Sequence, residues 1–494
     1  WEDKVRRSIL FDAQANILTY GMGELASKEI ISRLASGTPV DEITDVRGTC
    51  VAAAHPGVCA YPWVEVPSFE EVSSSKEAYA RANMVEYNEH DPFVGKAILQ
   101  KHGRQFLLVN PPARPLTTAE MDEVAELPYV REPHPMYDEM GGVPAIEEVR
   151  FSVTHNRGCF GACNFCSLAF HQGRIITSRS HESVLREVEA LTRHPGFKGY
   201  IHDVGGPTAN FRRPACKKQM KAGMCRGRAC LAPTPCPNLD ADHTDYLMLL
   251  RKIRQVPGVK KVFIRSGIRF DYMLQDKSGE FFAELVKYHV SGQLKVAPEH
   301  CVSGVLDYMG KPHIEVYEKF KGKYERLNQK YGKEQYLVPY LMSSHPGCTL
   351  DDAVRLANRM GKEHGWILVQ DTAWPGYEEI PAWIMEGYTT IAWELFQQLE
   401  DLGGRMPTHL FLQAGVGSFA GAILGSFAAR LGKDCPITCI VEPDRADCLY
   451  RSARAADGKI HPVTGEMNSM MAGLCCGEPC TISWEIISPG AAAF

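Results

Sequence analysis

Three cysteines in one short loop set the strongest limit on what this chain can become. The stretch Arg157-Gly-Cys-Phe-Gly-Ala-Cys-Asn-Phe-Cys166 places Cys159, Cys163 and Cys166 in a C-x3-C-x2-C spacing directly after Val149–Thr154, an apolar run that reads as a strand. Three thiolates so close suit a soft, thiophilic metal, and an iron–sulfur cube asks for four ligands, which leaves one iron open to a small molecule. Gly158 and Gly161 let the backbone fold tightly around such a group, while Phe160 and Phe165 shield it from water. A closed zinc site is the competing reading. It needs four N or S ligands at paired spacings, and the nearby His171 completes no such pattern. Three unrelated buried cysteines are the plainest reading of all.

The longer context carries a resemblance. The matching stretches are His171–Ile176, Lys198–Asn210, Arg265-Ser-Gly-Ile-Arg269, Ser291–His300 and Gln335–Gly347. With the cysteine loop they resemble the radical S-adenosylmethionine (SAM) superfamily, and within it the YgiQ family, over about residues 1 to 350. The resemblance implies that Cys159, Cys163 and Cys166 ligate a [4Fe–4S] cluster whose free iron chelates the amino and carboxylate groups of SAM. One electron, from a donor such as flavodoxin or ferredoxin, then cleaves SAM to methionine and a 5′-deoxyadenosyl radical that abstracts hydrogen from a substrate. In that arrangement the cofactor carries the hard chemistry, and the protein orients it and excludes water.

Strand-like and helix-like segments alternate from residue 149. Strands are expected at Val149–Thr154, Gly199–Val204, Lys261–Ser266, Gln293–Pro298 and Gln335–Met342, with helices at about Ser180–Thr192, Asp242–Ile253, Glu280–Tyr288 and Ile314–Tyr331. Such repetition predicts an α/β fold with parallel strands, hence a full or partial (β/α) barrel of radical SAM type. Active sites of such barrels sit at the C-terminal strand ends, where the polar motifs of this chain fall. Gly205 and Gly206 end the second strand, and by resemblance they meet the amino group of SAM. Ser266 and Arg269 follow the third strand, and Glu299 and His300 the fourth, as further cofactor-binding candidates alongside Phe165.

A second cysteine group, Cys216, Cys225, Cys230 and Cys236, lies in a Pro- and Lys/Arg-rich insertion over 211–238. So little apolar content gives the insertion scant reason to order without a metal, and four thiolates suit an auxiliary [4Fe–4S] cluster or a structural zinc. The sequence leaves both open. The basic residues around them offset thiolate charge or meet an RNA substrate. RNA is the less favoured, because the net charge of −5 gives the chain no overall basic character.

Length allows two or three domains. Residues 1–148 resemble the YgiQ-type N-terminal α/β domain, with a helix expected at Ser27–Ala35 and Cys50 and Cys59 as packing residues, and a proline-rich connector begins at Asn110. Residues 149–350 form the expected radical SAM core. The chain opens on Trp1 and not Met, so its natural start is expected to be missing. Seventeen cysteines in metal-like spacings, without an export signal, suggest reduced thiols in the cytoplasm. The most apolar helix-like run, Val416–Leu431, is short and rich in Gly, Ala and Ser, so it reads as a packed helix and not a membrane span.

Near residue 350 the pattern changes. Val369–Trp374, Ile380–Tyr388, Gln413–Gly421, Val441–Cys448 and Met471–Pro479 resemble the C-terminal part of diaminopropionate ammonia-lyase, a fold-type II pyridoxal phosphate (PLP) enzyme. Strands are expected at Trp366–Gln370, His409–Gln413 and Ile437–Val441. The resemblance implies that the turn holding Gly415, Gly417 and Ser418 cradles the PLP phosphate, that Asp371 serves as an acid/base, and that Cys448 and Cys476 match a disulfide pair. The lyase's N-terminal half, with its Schiff-base lysine, has no counterpart here. After residue 366 the only lysines are Lys433 and Lys459, both in turn-like sequence. Bound PLP and lyase activity are therefore not expected, and 351–494 reads as a lyase-like fragment joined in frame to an incomplete radical SAM protein. Three functions follow in order: a radical SAM enzyme, an inactive lyase-like PLP protein, and a metal-stapled scaffold without catalysis.

Overall fold

A computed structural model describes residues 4–465, 467 and 469–494. Trp1, where the missing start was inferred, lies outside them. The chain divides into two compact units, Trp1–Leu356 and Ala357–Phe494. The expected boundary after residue 148 lies inside the first unit.

The first unit begins with a five-stranded sheet: β1 (Ile17–Thr19), β2 (Thr49–Ala53), β3 (Trp63–Val66), β4 (Ala97–His102) and β5 (Gln105–Val109), in the order β1-β2-β5-β4-β3. All its neighbours are antiparallel except β3 and β4. Val51, Ala53, Ala97, Leu99 and Leu108 bury one face, as period-two side chains of paired strands do. The expected first helix runs Glu24–Ala35, one turn earlier than its apolar spacing suggested, because Glu24 favours a helix start.

The core of this unit follows with β6 (Ser152–Thr154), the short pair β7 (Asn156–Arg157) and β8 (Thr177–Ser178), β9 (Tyr200–Ile201), β10 (Asp203–Gly205), β11 (Lys261–Val262), β12 (Gln293–Glu299) and β13 (Tyr336–Leu341). β6 pairs parallel with β10, β9 with β11, and β12 with β13. A parallel bridge from Ile268 to Val296 links the segment after β11 to β12. Helices His181–Thr192, Thr244–Ile253 and Ile314–Tyr331 separate the strands, and Glu280–Glu284 runs on as a π-turn over Leu285–His289. Among the described residues β13 does not pair back to β6, so the strands form an open parallel array and not a closed barrel.

Several strands are shorter than expected, each for a local reason. Ile146–Val149 is a helical turn with Glu147 and Glu148 near its start, so the first strand begins only at Ser152. His202 interrupts the second strand and donates its N–H to Phe151 O at 2.9 Å. After Val262 the third strand gives way to side-chain bonding: Arg265 and Ser266 donate backbone N–H to Asp203 Oδ1 at 2.8 and 3.1 Å.

The second unit carries a parallel pair, β14 (His409–Gln413) and β15 (Ile437–Val441), and helices Glu379–Asp401, Ser418–Leu431 and Thr481–Gly490. Phe396, Ile423, Phe427, Leu449 and Ile487 are among the side chains that fill its core. Trp366–Gln370 is not a strand. The Tyr377 hydroxyl accepts from Gln370 N–H and donates to Leu368 O, so a side chain takes the place of a ladder. No helix among the described residues is long and apolar enough to cross a membrane.

Candidate active site

The cysteine loop is held from both sides. Cys159 N–H donates to Gly173 O at 3.0 Å, and Gly158, at φ +87°, lies so close to Ile175 O that a Cβ would collide with it. Only glycine adopts that conformation there without strain. On the far side, Asn164 N–H donates to Met309 O at 2.9 Å and its side-chain amide to Tyr308 O at 2.7 Å. Phe160 is fully buried and stacks on Phe211 at 3.8 Å, with Tyr272 against their edges, closing the loop's inner face to water. Phe165 does not join this cluster; its ring meets His345 edge-on at 5.9 Å.

Arg269 reaches into the loop from the segment after β11, just before the helical turn Phe270–Met273. Its Nη1 lies 3.2 Å from Cys163 Sγ, while Nε and Nη2 donate to the two carboxylate oxygens of Asp271 at 2.9 and 2.6 Å. Burial works against both charges, yet Asp271 and the Cys163 sulfur hold Arg269 well above the usual guanidinium range, and Arg269 keeps Asp271 below the usual carboxylate range. A Cβ on Gly161 would stand 2.5 Å from Arg269 Nη1, so this glycine makes room for the guanidinium. Burial raises the Cys166 thiol, and the neighbouring Cys163 and Cys159 raise it further. The three sulfurs thus share one electrostatic environment. Among the described residues, however, no three His, Cys, Asp or Glu side chains converge in metal-ligand geometry.

Strand ends supply the polar surroundings. A Cβ on Gly205 would collide with Ser266 Oγ, and one on Gly206 with Asn156 Oδ1. Ser266 Oγ donates to Asp203 Oδ2. Asn156 Oδ1 and Glu299 Oε2 are buried acceptors without a hydrogen-bond partner. Glu299 sits at φ +71° beside a register shift in β12, with Lys311 Nζ 3.6 Å from its other oxygen. Burial raises its carboxyl above the ordinary range, against the pull of Lys311. His300 lies behind it, where Nδ1 accepts Val302 N–H at 3.0 Å. Three soft thiols in one loop, and two buried acceptors in want of a donor beside Gly205 and Gly206, are the donor set that would suit an iron–sulfur cluster with a bound amino acid.

Sequence reasoning missed Asn156, Asp203, Asp271 and Lys311, which carry no motif. The signal for Asp271 was an acid two residues after a candidate arginine. A cavity of about 360 Å³, lined in part by Tyr20, Glu86, His90, Lys96, Phe170 and His171, was also not foreseen. His90 in its wall is pushed down to about 4 by burial and by Arg174.

The second cysteine group is ordered by the N-terminal sheet's neighbours. Asp91 Oδ2 accepts Met224 N–H at 2.5 Å, Gly223 leaves no room there for a Cβ, and Arg226 pairs with Glu89 at 2.9 Å. Cys230 is pushed up to about 12 by burial and by Cys216, Cys236 and Cys225. Lys218 Nζ lies 3.7 Å from Cys225 Sγ.

In the second unit the glycines of the lyase-like turn pack closely against neighbouring side chains. Ser418 Oγ donates to Asp371 O at 2.5 Å, a Cβ on Gly415 would lie 3.0 Å from Cys476 Sγ, and Ser483 and Ile487 crowd Gly417. Lys433 and Lys459 are exposed. Cys448 and Cys476 are both free thiols, which corrects the disulfide match. The Cys448 sulfur instead donates to Gly415 O at 3.5 Å, and burial with Glu442 pushes the thiol up to about 12.

Comparison with known proteins divides the chain in the same two directions. Residues 1–152 match the radical SAM N-terminal family, and residues 308–492 match the pyridoxal-phosphate dependent enzyme family. A UPF0313 protein of Clostridium botulinum is 53% identical over 362 residues, 73% of this chain and 56% of its own. One from Clostridium perfringens is 50% identical over 357 residues, 72% of this chain and 54% of its own. The chain thus spans about half the length of these relatives. Among solved structures, diaminopropionate ammonia lyase from Escherichia coli shows 34% identity over 42% of this chain and 51% of its own, with a TM-score of 0.28. The radical SAM methyltransferase TsrM from Kitasatospora setae shows 12% identity over 72% of this chain and 50% of its own, with a TM-score of 0.37.

Proposed function

From a chain that joins a radical SAM part of the UPF0313 (YgiQ) type to a PLP-enzyme part resembling diaminopropionate ammonia-lyase, we propose a radical SAM enzyme whose chemistry resides wholly in the first unit. The observation that carries this reading is the Arg269 guanidinium set against Cys163 in a three-cysteine loop. Cys159, Cys163 and Cys166 would hold a [4Fe–4S] cluster, and Gly205, Gly206, Ser266 and Glu299 would receive SAM. When bound, the cluster supplies the electron that cleaves SAM to methionine and a 5′-deoxyadenosyl radical. The residues of the chain do the rest. Arg269 balances thiolate charge, Phe160 and Phe211 keep water from the loop, and the unpartnered Glu299 and Asn156 oxygens accept from an ammonium group.

A one-electron donor of flavodoxin or ferredoxin type and a reducing compartment such as the cytoplasm belong to this reading. So does a second cluster or zinc at Cys216, Cys225, Cys230 and Cys236, within a region spanning 149–350. The lyase-like unit enters as a non-catalytic fragment, because the lyase's Schiff-base lysine has no counterpart here and Lys433 and Lys459 are exposed. The test is anaerobic reconstitution with iron and sulfide, reduction in the presence of SAM, and chromatography for 5′-deoxyadenosine. The intact chain should form the nucleoside and Cys163→Ala should not. An iron-loaded intact chain that forms none would sink the reading.

A further inference from the structure

Cys348 belongs to neither cysteine group. It lies in the loop after β13, partly exposed, and its sulfur is 3.5 Å from His300 Nε2 at the end of β12. The tautomer of His300 is set by its other nitrogen. Nδ1 accepts Val302 N–H at 3.0 Å, so the proton of the neutral ring is on Nε2 and points at sulfur. The thiol's own hydrogen is directed to Thr349 O at 3.4 Å. A sulfur that accepts a ring N–H keeps that bond as it attacks, which holds the sulfur in place and stabilises the charge that develops on it. Asp352 and His345 are the charged or titratable groups that act on His300 from the neighbouring loop and helix. Asp352 is itself engaged with Thr349 N–H and Oγ1 at 3.0 and 2.7 Å.

We propose that Cys348 and His300 form a nucleophilic thiol–imidazole pair, a site of modification by low-molecular-weight disulfides that is independent of the radical SAM reading. In the step, the Cys348 thiolate attacks one sulfur of the disulfide. A new S–S bond forms to Cys348, the old one breaks, and the departing thiolate takes up the proton that Cys348 released to solvent. No net oxidant beyond the disulfide is needed. The adduct stands one turn from His345, whose O accepts Cys348 N–H at 2.8 Å and whose ring faces Phe165 of the cysteine loop, so thiolation adds bulk beside that loop.

Cys59 is the internal comparator. It is also partly exposed and its sulfur likewise bonds a carbonyl, Tyr61 O at 3.3 Å, but among the described residues it has no histidine bond. The full chain is treated with oxidised glutathione and, in parallel, iodoacetamide, and each cysteine's modification rate is followed by peptide mass spectrometry. Cys348 is expected to react about tenfold faster than Cys59 as a histidine-paired thiol. His300→Ala should remove that advantage while leaving the Cys59 rate unchanged, and His300→Gln, which keeps a donor, should retain part of it. Circular dichroism and the Cys59 rate report whether each variant is folded. Equal rates at Cys348 and Cys59 in the unmodified chain would overturn the proposal, as would an unchanged Cys348 rate in a folded His300→Ala.

Discussion

Arg269 and Asp271 form a buried fork, with the guanidinium gripping both carboxylate oxygens from two residues away while its remaining nitrogen lies against Cys163 Sγ. The pair is 9% and 2% exposed, so neither charge has water to fall back on.

Removing one partner leaves the other charge buried alone, a change that costs about 3–5 kcal/mol. Asp271→Asn should lower the urea midpoint of the first unit accordingly. The carboxyl of Asp271 is depressed in the fold, so its contribution is present above its unfolded value of about 3.9 and disappears as pH falls through the lower folded value. The gap between the original chain and Asp271→Asn should therefore be full at neutral pH and shrink below about pH 4. A gap that stays constant down to strongly acid pH would contradict the ionised pair.

Gly206→Ala should separate binding from folding. The added Cβ collides with Asn156 Oδ1, and Asn156 is held by the hydrogen bond that its Nδ2 donates to Thr208 O at 3.2 Å. SAM affinity, measured by equilibrium dialysis on the reconstituted chain, is expected to fall by at least about tenfold, the equivalent of 1.4 kcal/mol. Undiminished affinity would remove this glycine from the SAM path.

Asp91→Ala should loosen the cysteine-rich insertion. It deletes the acceptor of Met224 N–H and leaves the Glu89–Arg226 pair beside it. Limited trypsin digestion is expected to cut faster after the exposed Lys217, Lys218, Lys221 and Arg226, with a loss of about 1–3 kcal/mol for the unpaired backbone group. Equal digestion rates would show that the insertion is ordered by other means.

The second unit can be tested by its own core. Phe427 is fully buried and packs on Phe396 at 4.5 Å. Phe427→Ala should cost about 3–5 kcal/mol and unfold that unit at lower urea, seen as faster exchange of the backbone N–H groups of β14 and β15. Unchanged exchange would mean that this core does not hold the unit together.

Much of the site was readable because it obeys local rules. The cysteine spacing, the glycine pair after the second strand and the strands at 409–413 and 437–441 depend on neighbours in sequence. What escaped depends on partners far away. Lys261–Ser266 has strand composition, but Asp203 captures the backbone of Arg265 and Ser266, which no propensity foretells. Trp366–Gln370 is apolar enough for a strand, yet Tyr377 takes its hydrogen bonds. Asn156 and Lys311 are single polar residues with no pattern around them. Their place becomes visible only when β6, β10 and β12 bring distant segments to one edge.

The ties from Asn164 to Met309 and Tyr308 give the cysteine loop a history as well as a shape. A ten-residue motif of this kind reads as self-contained, but half of its fastenings arrive with chain made long after it. During synthesis the three thiols emerge and wait, without Arg269 or the Ser303–Met309 helix end, until more than a hundred further residues have been added. Closing so distant a contact is slow compared with local turns. On the reading proposed above, a metal at this loop would therefore best be delivered late, to a chain already folded past residue 309, and not to the nascent loop.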